Sequence, residues 1–340
     1  MDAMLLITKS PVRITYAGGN SDYAEFFRHH SGCVVNATID KYVYFFSLPQ
    51  WPLAEDRFRF TYRRTESVEQ IDDFEHPVIK HLLTKLDWTT PINLGTMADV
   101  PGQSGLGASS AFAASAIQNL SARRGMSLST RGLLESTINL ERIELGEPGG
   151  WQDQCATVFG GFRTYFFSED GIREETHKLD QEQQTFLTER QLLLSLNISR
   201  SDQSSASQIR RSIASNSVDI GKLCLKAGYD LHESLIKSRT PADVYFSLAE
   251  SVYNYWQIKK RLYPADDFTR NLQKIEFKLF EIGVDAIKLL GSGSGGYLLI
   301  MGKPHILKEV REFFGDKFIL DFQYSHLGTH TRTLTESLGV

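Results

Sequence analysis

Apolar and aromatic residues along the chain fall into short runs that predict strands, separated by longer segments with helical spacing. The two longest of these runs are Ile39 to Leu48, which is rich in aromatic and β-branched residues, and Gln191 to Ile198, which is rich in leucine. The shorter predicted strands are Phe58 to Tyr62, Ile92 to Leu94, Phe162 to Phe167, Leu298 to Met301 and Phe318 to Phe322.

Helical spacing predicts several helices between these strands. Phe112, Ala116 and Leu120 recur at helical intervals between Ser109 and Arg124, and the glycine that follows supplies a stop signal. The other predicted helices cover residues 131–145, 204–215, 243–262 and 268–282. We place a domain boundary near residue 185, after a polar stretch, which gives domains of residues 1–185 and 186–340. This mixture of elements predicts an α+β fold, with α/β as an alternative for the second domain.

Composition and charge place the chain among ordinary globular proteins. Its 340 residues exceed the usual size of a single core, which supports two domains. Hydrophobic residues make up 41% and charged residues 23% of the chain. A net charge of -4 and a pI near 6.2 argue against a nucleic-acid partner, which requires a basic surface. Small-molecule chemistry is therefore the expected function.

The cysteines and the N-terminus bear on the compartment. Cys33, Cys155 and Cys224 lie far apart and form no C-x-x-C pair, so we expect free, packed thiols in a reducing compartment. The first residues lack the apolar region of a signal peptide. No apolar run approaches the roughly 20 residues that span a bilayer. The sequence thus predicts a cytoplasmic protein with no membrane partner.

The segment from Val100 to Ala114, VPGQSGLGASSAFAA, carries the clearest chemical signal. Its glycines expose backbone N–H groups ahead of a predicted helix N-terminus, and that combination suits phosphate oxygens. The segment has no Walker pattern, and the chain has no His-Arg-Asp or Asp-Phe-Gly triplet. The predicted nucleotide contacts are Pro101, Gly102, Gln103, Ser104, Gly105, Leu106, Gly107, Ala108, Ser109 and Ser110.

Three further segments combine glycines with polar residues, at 11–23 (PVRITYAGGNSDY), 141–161 (ERIELGEPGGWQDQCATVFGG) and 288–297 (KLLGSGSGGY). Taken in order with the central segment, they resemble the GHMP small-molecule kinases, the superfamily of galactokinase, homoserine kinase, mevalonate kinase and phosphomevalonate kinase. The central pattern P-x-x-x-G-L-G-x-S-S matches from Pro101 to Ser110. The resemblance spans essentially the whole chain. It implies a ribosomal protein S5 domain 2-like N-terminal domain and a ferredoxin-like C-terminal domain.

Within that superfamily the chain is most similar to the D-glycero-D-manno-heptose 7-phosphate kinases. Their block P-x-R-I-x-x-A-G-G-x-x-D begins at Pro11, and their block G-G-x-Q-D-Q-x-x-x-x-F-G-G begins at Gly149. The chain departs from that family where Trp151 replaces a lysine. It departs again where Asn20 and Ser21 replace a glycine and a threonine. The loss of the lysine bears on which sugar phosphate is bound.

The resemblance implies that Asp153 is the catalytic base, which orients and deprotonates a sugar hydroxyl. Arg13 is the corresponding cation, which keeps that carboxylate ionised. From the residues alone, Asp153 also fits a helix N-cap after the Pro-Gly-Gly turn. The two interpretations differ in where they place the side chain.

Magnesium prefers hard oxygen ligands and keeps several waters, so one hydroxyl and one carboxylate beside the ATP phosphates suffice. The resemblance implies that Ser109 supplies the hydroxyl and Glu141 the carboxylate. Ser110 remains an alternative to Ser109. Glu144 remains an alternative to Glu141, because the two acids lie one turn apart on the predicted helix.

The sugar side of the predicted site is assembled from several segments. Asp22 is expected to accept hydrogen bonds from sugar hydroxyls, although an Asx-turn is the alternative. An arginine after a strand of the second domain is expected to bind the substrate's phosphate, since a guanidinium suits phosphate oxygens. An ordinary surface position is its alternative. The predicted substrate contacts are Asn20, Ser21, Asp22, Gly150, Arg200 and Gly293.

The glycine loop at 291–296 is expected to support the central segment, and Lys288 before it to be an ordinary solvated lysine. The resulting hypothesis is an ATP- and Mg²⁺-dependent kinase that phosphorylates the anomeric hydroxyl of D-glycero-D-manno-heptose 7-phosphate, giving the 1,7-bisphosphate for polysaccharide biosynthesis. The alternatives are another sugar-1-kinase, such as a galactokinase-like enzyme, and a non-catalytic sugar- and nucleotide-binding regulator. The expected partner is a small sugar phosphate, and a homodimer is a candidate assembly.

Overall fold

The structure, a computed structural model, describes residues 5–50, 56–199, 217–291 and 295–334. Within them the strands form two sheets. The larger sheet has eight strands: β1 Leu5–Ala17, β2 Gly32–Pro49, β3 Phe58–Thr61, β4 Thr65–Val68, β5 Ile92–Ala98, β6 Phe162–Ser168, β7 Gly171–Thr176 and β12 His330–Leu334. The smaller has four: β8 Gln191–Ser199, β9 Ala286–Leu289, β10 Gly295–Met301 and β11 Ile319–Leu320.

The two longest strands, β1 and β2, lie side by side within the large sheet. The large sheet runs β12-β1-β2-β5-β3-β4, with β6 and β7 attached to the other half of β2. The small sheet runs β11-β8-β10-β9. All of these pairings are antiparallel except β3 with β5. The pairing of β1 with β2 is irregular between Pro11 and Arg13, where proline lacks the N–H that a regular ladder needs.

The helices cover both sheets. Those described are α1 Ala24–His30, α2 Pro77–Lys85, α3 Ala108–Arg123, α4 Thr130–Ile138, α5 Gln152–Phe159, α6 Gln181–Thr188, α7 Ser217–Lys237, α8 Pro241–Lys260, α9 Asp267–Ile282 and α10 Pro304–Phe314. Short 3-10 turns lie at Ile71–Asp73 and Asp316–Phe318, and a π-helical turn spans Asn139–Glu144.

Alternation along the strands divides the interior into layers. On β2, Val34 and Phe45 pack under α2 to α5, whereas Val35 and Val43 belong to a second core on the opposite face. That second core also contains Val252 of α8 and side chains from one face of the small sheet. The other face of the small sheet packs against α9 and α10. Helix α8 therefore lies between the two sheets.

The predicted α+β fold is confirmed, and several of the boundaries change. The helix predicted over 131–145 is α4 followed by the π-helical turn, and the strand predicted at 318–322 is only Ile319–Leu320. The pattern missed α1, α2 and α6, which have only seven to nine residues. It also missed α7 and α10, which are longer and amphipathic. The helix predicted at 204–215 lies outside the described residues.

The boundary near residue 185 stays a prediction. Most of the chain after it forms the small sheet and its helices, but β12 returns to pair with β1 of the large sheet.

The three cysteines are free and buried, as expected. In the part of the chain that the structure describes, no helix combines the length and apolar character needed to cross a bilayer.

Candidate active site

Four chain segments that the sequence singled out meet at one place. They are the turn after β1 (the N-terminal turn, residues 17–22), the central loop (residues 100–110), the turn before α5 (residues 147–152) and the chain after β9. A Cβ added to Gly105 would lie 2.5 Å from the Leu290 carbonyl oxygen, and one added to Gly291 would lie 2.4 Å from the Gly105 Cα. The central loop and the chain after β9 are thus in direct backbone contact.

The central loop presents backbone groups at a helix N-terminus. Gly105 and Gly107 adopt positive φ angles of 77° and 79°, and Gly107 is an N-cap without a side-chain cap for the 16-residue helix α3. Ser104 has a buried hydroxyl with no hydrogen-bond partner among the described residues. The remaining N–H groups of the first turn and the helix dipole suit an anion at this point.

Arg13 and Asp153 form a two-point ion pair beside this loop. The guanidinium donates from Nε to Oδ1 at 2.8 Å and from Nη2 to Oδ2 at 2.9 Å, and its Nη1 donates to the Gly105 carbonyl at 2.6 Å. The Arg13 side chain is 6% exposed and that of Asp153 is 25% exposed. The carboxylate is therefore fixed in orientation while part of it stays accessible.

The ion pair lies against the glycine that begins α3. A Cβ built on Gly107 would be 3.4 Å from Arg13 Nε and 3.5 Å from Asp153 Cγ. Asp153 is the second residue of α5, whose N-cap is Trp151. Its side chain is paired with Arg13 and is not the N-cap of α5, which removes the N-cap interpretation. An acid and an anion-suited helix end thus lie side by side where the four segments meet, a place that we call the cleft.

Glu141 is brought to the start of α3 by the π-helical turn. Its carboxylate accepts hydrogen bonds from Ser109 Oγ at 3.2 Å, Ser110 Oγ at 2.7 Å and Gln154 Nε2 at 2.5 Å. The residue is 2% exposed, and this burial raises the pKa of its carboxyl. π-Helical turns of this kind occur often at functional sites.

The alternative acid on the same turn faces elsewhere. Glu144 pairs with His81 and Lys85 and accepts a hydrogen bond from Asn139. The structure therefore brings Glu141 to the central loop and leaves Glu144 in an ion-pair cluster with α2. Both serines contact Glu141, so the choice between Ser109 and Ser110 stays open.

Asp22 lies buried at the end of the N-terminal turn. It is fully buried, and its carboxylate accepts from the backbone N–H of Asn20 at 2.9 Å and of Gln152 at 3.0 Å. Burial raises the pKa of this carboxyl to about 6. The backbone hydrogen bonds act in the opposite direction, and the nearby charge of Asp153 raises the pKa further. Gly150 packs so closely that a Cβ there would lie 1.9 Å from Asp22 Oδ2.

The other predicted substrate contacts have different outcomes. Asn20 lies within the N-terminal turn, where it adopts a positive φ of 80° and donates its backbone N–H to Asp22. Ser21 is fully buried, and its hydroxyl bonds the backbone of Gly18 and Cys33, so the structure does not bring it into the cleft. Arg200 and Gly293 lie outside the described residues.

The expectation of a solvated Lys288 was wrong. Lys288 is 1% exposed, and its ammonium donates to the Thr15 carbonyl. Burial lowers the pKa of Lys288 well below its ordinary value, and the charges of Lys259 and Arg13 act in the same direction. The residue belongs to the protein interior beneath the cleft.

Sequence reasoning also missed polar residues that support the site. The side-chain oxygen of Gln152 accepts a hydrogen bond from the Thr15 hydroxyl at 2.8 Å, and its amide nitrogen donates to Asp22 Oδ1 at 3.4 Å. Lys259 is buried on α8. The available signals were the Gln-Asp-Gln run at the start of α5 and, for Lys259, a lysine at helical spacing within an otherwise apolar face of α8.

Comparison with known proteins finds a family model that matches the region containing the central loop, Glu141 and Asp153. Residues 74–161 match the model of the GHMP kinases N-terminal domain. The chain carries a GHMP kinase N-terminal domain. The resemblance drawn from the glycine-rich segments is confirmed, as is the predicted enzyme class, a phosphotransferase with an alcohol group as acceptor.

The relatives extend this similarity along the chain. A D-glycero-alpha-D-manno-heptose 7-phosphate kinase from Campylobacter jejuni is 24% identical over 94% of this chain and 97% of its own length. A D-glycero-D-manno-heptose 1-phosphate kinase from Bacteroides thetaiotaomicron superposes with a TM-score of 0.77 at 20% identity, covering 97% of this chain and all of that one. A Lactococcus lactis galactokinase superposes with a TM-score of 0.67 at 14% identity, covering 97% of this chain and 95% of that one. The predicted two-domain GHMP kinase fold is confirmed.

The raised pKa of Asp22 predicts a pH dependence of stability. The folded protein holds this proton more tightly than the unfolded chain, so the stabilising contribution is complete below about pH 4 and is lost as the pH rises through 6. Two pKa units correspond to about 3 kcal/mol. Urea unfolding between pH 4 and pH 7 should show that the free energy of unfolding of wild type, relative to that of Asp22→Asn, falls by about this amount. A difference that stays constant with pH would contradict the assignment.

Proposed function

We propose that this chain is an ATP-dependent sugar kinase that phosphorylates the anomeric hydroxyl of D-glycero-D-manno-heptose 7-phosphate to give the 1,7-bisphosphate. The observation that carries the proposal is the position of Asp153. This carboxylate is oriented by Arg13 and lies against Gly107, the residue at which the anion-suited helix α3 begins. A base for an alcohol and a site for a triphosphate therefore adjoin.

In this proposal the central loop binds the phosphates of ATP. Gly105 and Gly107 supply backbone conformations that bulkier residues rarely adopt, and the uncapped start of α3 supplies N–H donors. The buried Ser104 hydroxyl, which lacks a partner among the described residues, is a further candidate donor. Phosphoryl transfer depends mainly on such positioning and on charge stabilisation.

Asp153 would act on the sugar hydroxyl. Both of its oxygens accept from Arg13, which fixes the plane of the carboxylate, and each oxygen keeps a further lone pair for the hydroxyl proton. As the proton passes to Asp153, the sugar oxygen bonds to the γ-phosphorus, the bond to the β–γ bridging oxygen breaks, and ADP leaves. The resemblance assigns hydrogen bonds from other sugar hydroxyls to Asp22; its carboxylate is fully buried and would have to become accessible when the sugar binds.

Glu141 and the serines at the start of α3 would hold magnesium beside the phosphates. Their oxygens match the hard ligands that Mg²⁺ prefers, and the buried carboxylate lies within hydrogen-bond distance of both hydroxyls. Bound there, magnesium would neutralise phosphate charge during transfer. Among the described residues no group of three or more His, Cys, Asp or Glu could hold a metal ion, so the phosphates and water would supply the other ligands.

The identity of the sugar draws support from the relatives. The Campylobacter jejuni protein is named for a heptose 7-phosphate, and the Bacteroides thetaiotaomicron protein for a heptose 1-phosphate. Both names point to a heptose phosphate, but they differ in the position of the phosphate. The experiment must therefore offer both positions.

A panel of acceptors tests the proposal. ADP release should be fastest with D-glycero-D-manno-heptose 7-phosphate and much slower with the unphosphorylated heptose, the 1-phosphate, galactose and mannose. The product should be the 1,7-bisphosphate by ³¹P NMR. Turnover only with unphosphorylated sugars would replace this assignment with a galactokinase-like one. Nucleotide and sugar binding without turnover would favour the regulator.

Asp153→Asn separates catalysis from binding. The amide keeps the size of the side chain and removes the base, so kcat should fall by about 10² to 10⁴ while the dissociation constant for ATP stays within about threefold. Steady-state assays and calorimetric ATP titration measure the two effects. Asp170→Asn, on the exposed turn between β6 and β7, is the matched control. Full activity in Asp153→Asn would remove it as the base.

Glu141→Gln and Glu144→Gln form a matched pair on one turn. Loss of the carboxylate at 141 should raise the Mg²⁺ concentration for half-maximal activity by about 10- to 100-fold. Glu144→Gln should leave it unchanged, because that acid pairs with His81 and Lys85. Magnesium titrations of kcat measure both. Equal effects, or a larger effect at 144, would reverse the assignment of the ligand.

A further inference from the structure

Helix α8 contacts two of the site's loops through side chains one turn apart. Tyr255 and Lys259 are at positions i and i+4 and therefore lie on the same face of the helix. The Tyr255 hydroxyl donates to the Gly19 carbonyl at 2.6 Å, in the N-terminal turn. The Lys259 ammonium donates to the carbonyls of Leu289, at 3.3 Å, and Gly291. One helix face thus reaches both sides of the cleft.

The contact made by Lys259 continues to the central loop. Gly291 packs so closely on Gly105 that neither position has room for a Cβ, and both glycines have positive φ angles. A displacement of Gly291 would therefore displace Gly105. Gly105 in turn accepts the hydrogen bond from Arg13 Nη1. Through Gly291 and Gly105, the position of Lys259 therefore affects the position of the central loop, which would bind phosphates.

The contact made by Tyr255 continues to the acid of the N-terminal turn. Gly19 precedes Asn20, whose backbone N–H donates to Asp22 at 2.9 Å. A Cβ on Gly19 would lie 3.1 Å from the Tyr255 hydroxyl and 2.9 Å from Gln152 Nε2, so this turn is also closely packed. Tyr255 itself is 1% exposed. Its hydroxyl thus fixes the backbone beside Asp22.

The charge on Lys259 is costly for the fold. The residue is 6% exposed, and among the described residues its ammonium contacts carbonyl oxygens and forms no ion pair with a carboxylate. Burial lowers the pKa of Lys259 to about 8, and the charge of Arg13 acts in the same direction. A methionine of similar length would avoid the desolvation penalty. A lysine at this position therefore points to a use outside folding.

We propose that Tyr255 and Lys259 form a brace that couples the sugar side of the cleft to the nucleotide side. Lys259 is the positioning residue for the central loop, and Tyr255 is the positioning residue for the N-terminal turn. The inference rests on the proposed function, because it requires that the two loops bind the two substrates. Each ligand should then favour the loop positions that the other one needs.

The test measures binding of heptose 7-phosphate with and without saturating β,γ-imido-ATP, in wild type and in Lys259→Met, Tyr255→Phe and Lys260→Met. In wild type, the analogue should lower the dissociation constant for heptose 7-phosphate by about 5- to 100-fold. In Lys259→Met and in Tyr255→Phe, the ratio of the dissociation constants without and with the analogue should be close to one. Lys259→Met should weaken binding of the analogue alone, and Tyr255→Phe should weaken binding of the sugar alone. Lys260, on the same helix but paired with Glu276, is the control and should behave as wild type.

Thermal denaturation separates a brace from a merely structural role. Lys259→Met should melt within about 4 °C of wild type, because it removes a buried charge as well as its contacts. A wild-type ratio of one, or brace variants that keep the wild-type ratio, would overturn the brace while leaving the proposed kinase intact. A large loss of melting temperature with equal weakening of both ligands would overturn it as well. Failure of wild type to bind the analogue would instead overturn the proposed function.

Discussion

The ion pair between Arg13 and Asp153 is the contact on which the rest of the site depends. It joins three parts of the chain that are distant in sequence, because Arg13 lies on β1, Asp153 lies in the first turn of α5, and the same guanidinium donates to the Gly105 carbonyl. The guanidinium thereby links the carboxylate of α5 to the backbone of the central loop that leads into α3.

Around this contact the protein buries an unusual number of charged groups. Asp22, Glu141, Lys259 and Lys288 are all less than a tenth exposed, and burial shifts the pKa of each towards the neutral form. Such groups reduce stability unless hydrogen bonds compensate for lost water. Backbone groups beside the cleft compensate Asp22 and Lys259, whereas side-chain donors compensate Glu141 and the Thr15 carbonyl of β1 compensates Lys288. At Asp22 and Lys259 the bonds that compensate the charge also hold the loops.

Much of the candidate site was predictable, because its residues lie in contiguous motifs. Glycines followed by hydroxyls indicated the central loop, and Asp153 follows a recognisable turn. The choice between Glu141 and Glu144 was not predictable from periodicity, since the π-helical turn that separates their directions leaves no clear mark in the pattern. Lys288 and Lys259 were missed because lysine is ordinarily solvated, although Lys259 lies at helical spacing within an otherwise apolar face of α8. Short helices such as α1 carry too few apolar residues for spacing to reveal them.

The most direct test of the account is a crystal structure with β,γ-imido-ATP, magnesium and heptose 7-phosphate. We expect phosphate oxygens on the backbone N–H groups between Gly105 and Ser110, with a sugar hydroxyl within hydrogen-bond distance of Asp153 and directed at the γ-phosphorus. A nucleotide bound away from the start of α3, or a sugar whose hydroxyls do not reach Asp153, would contradict it.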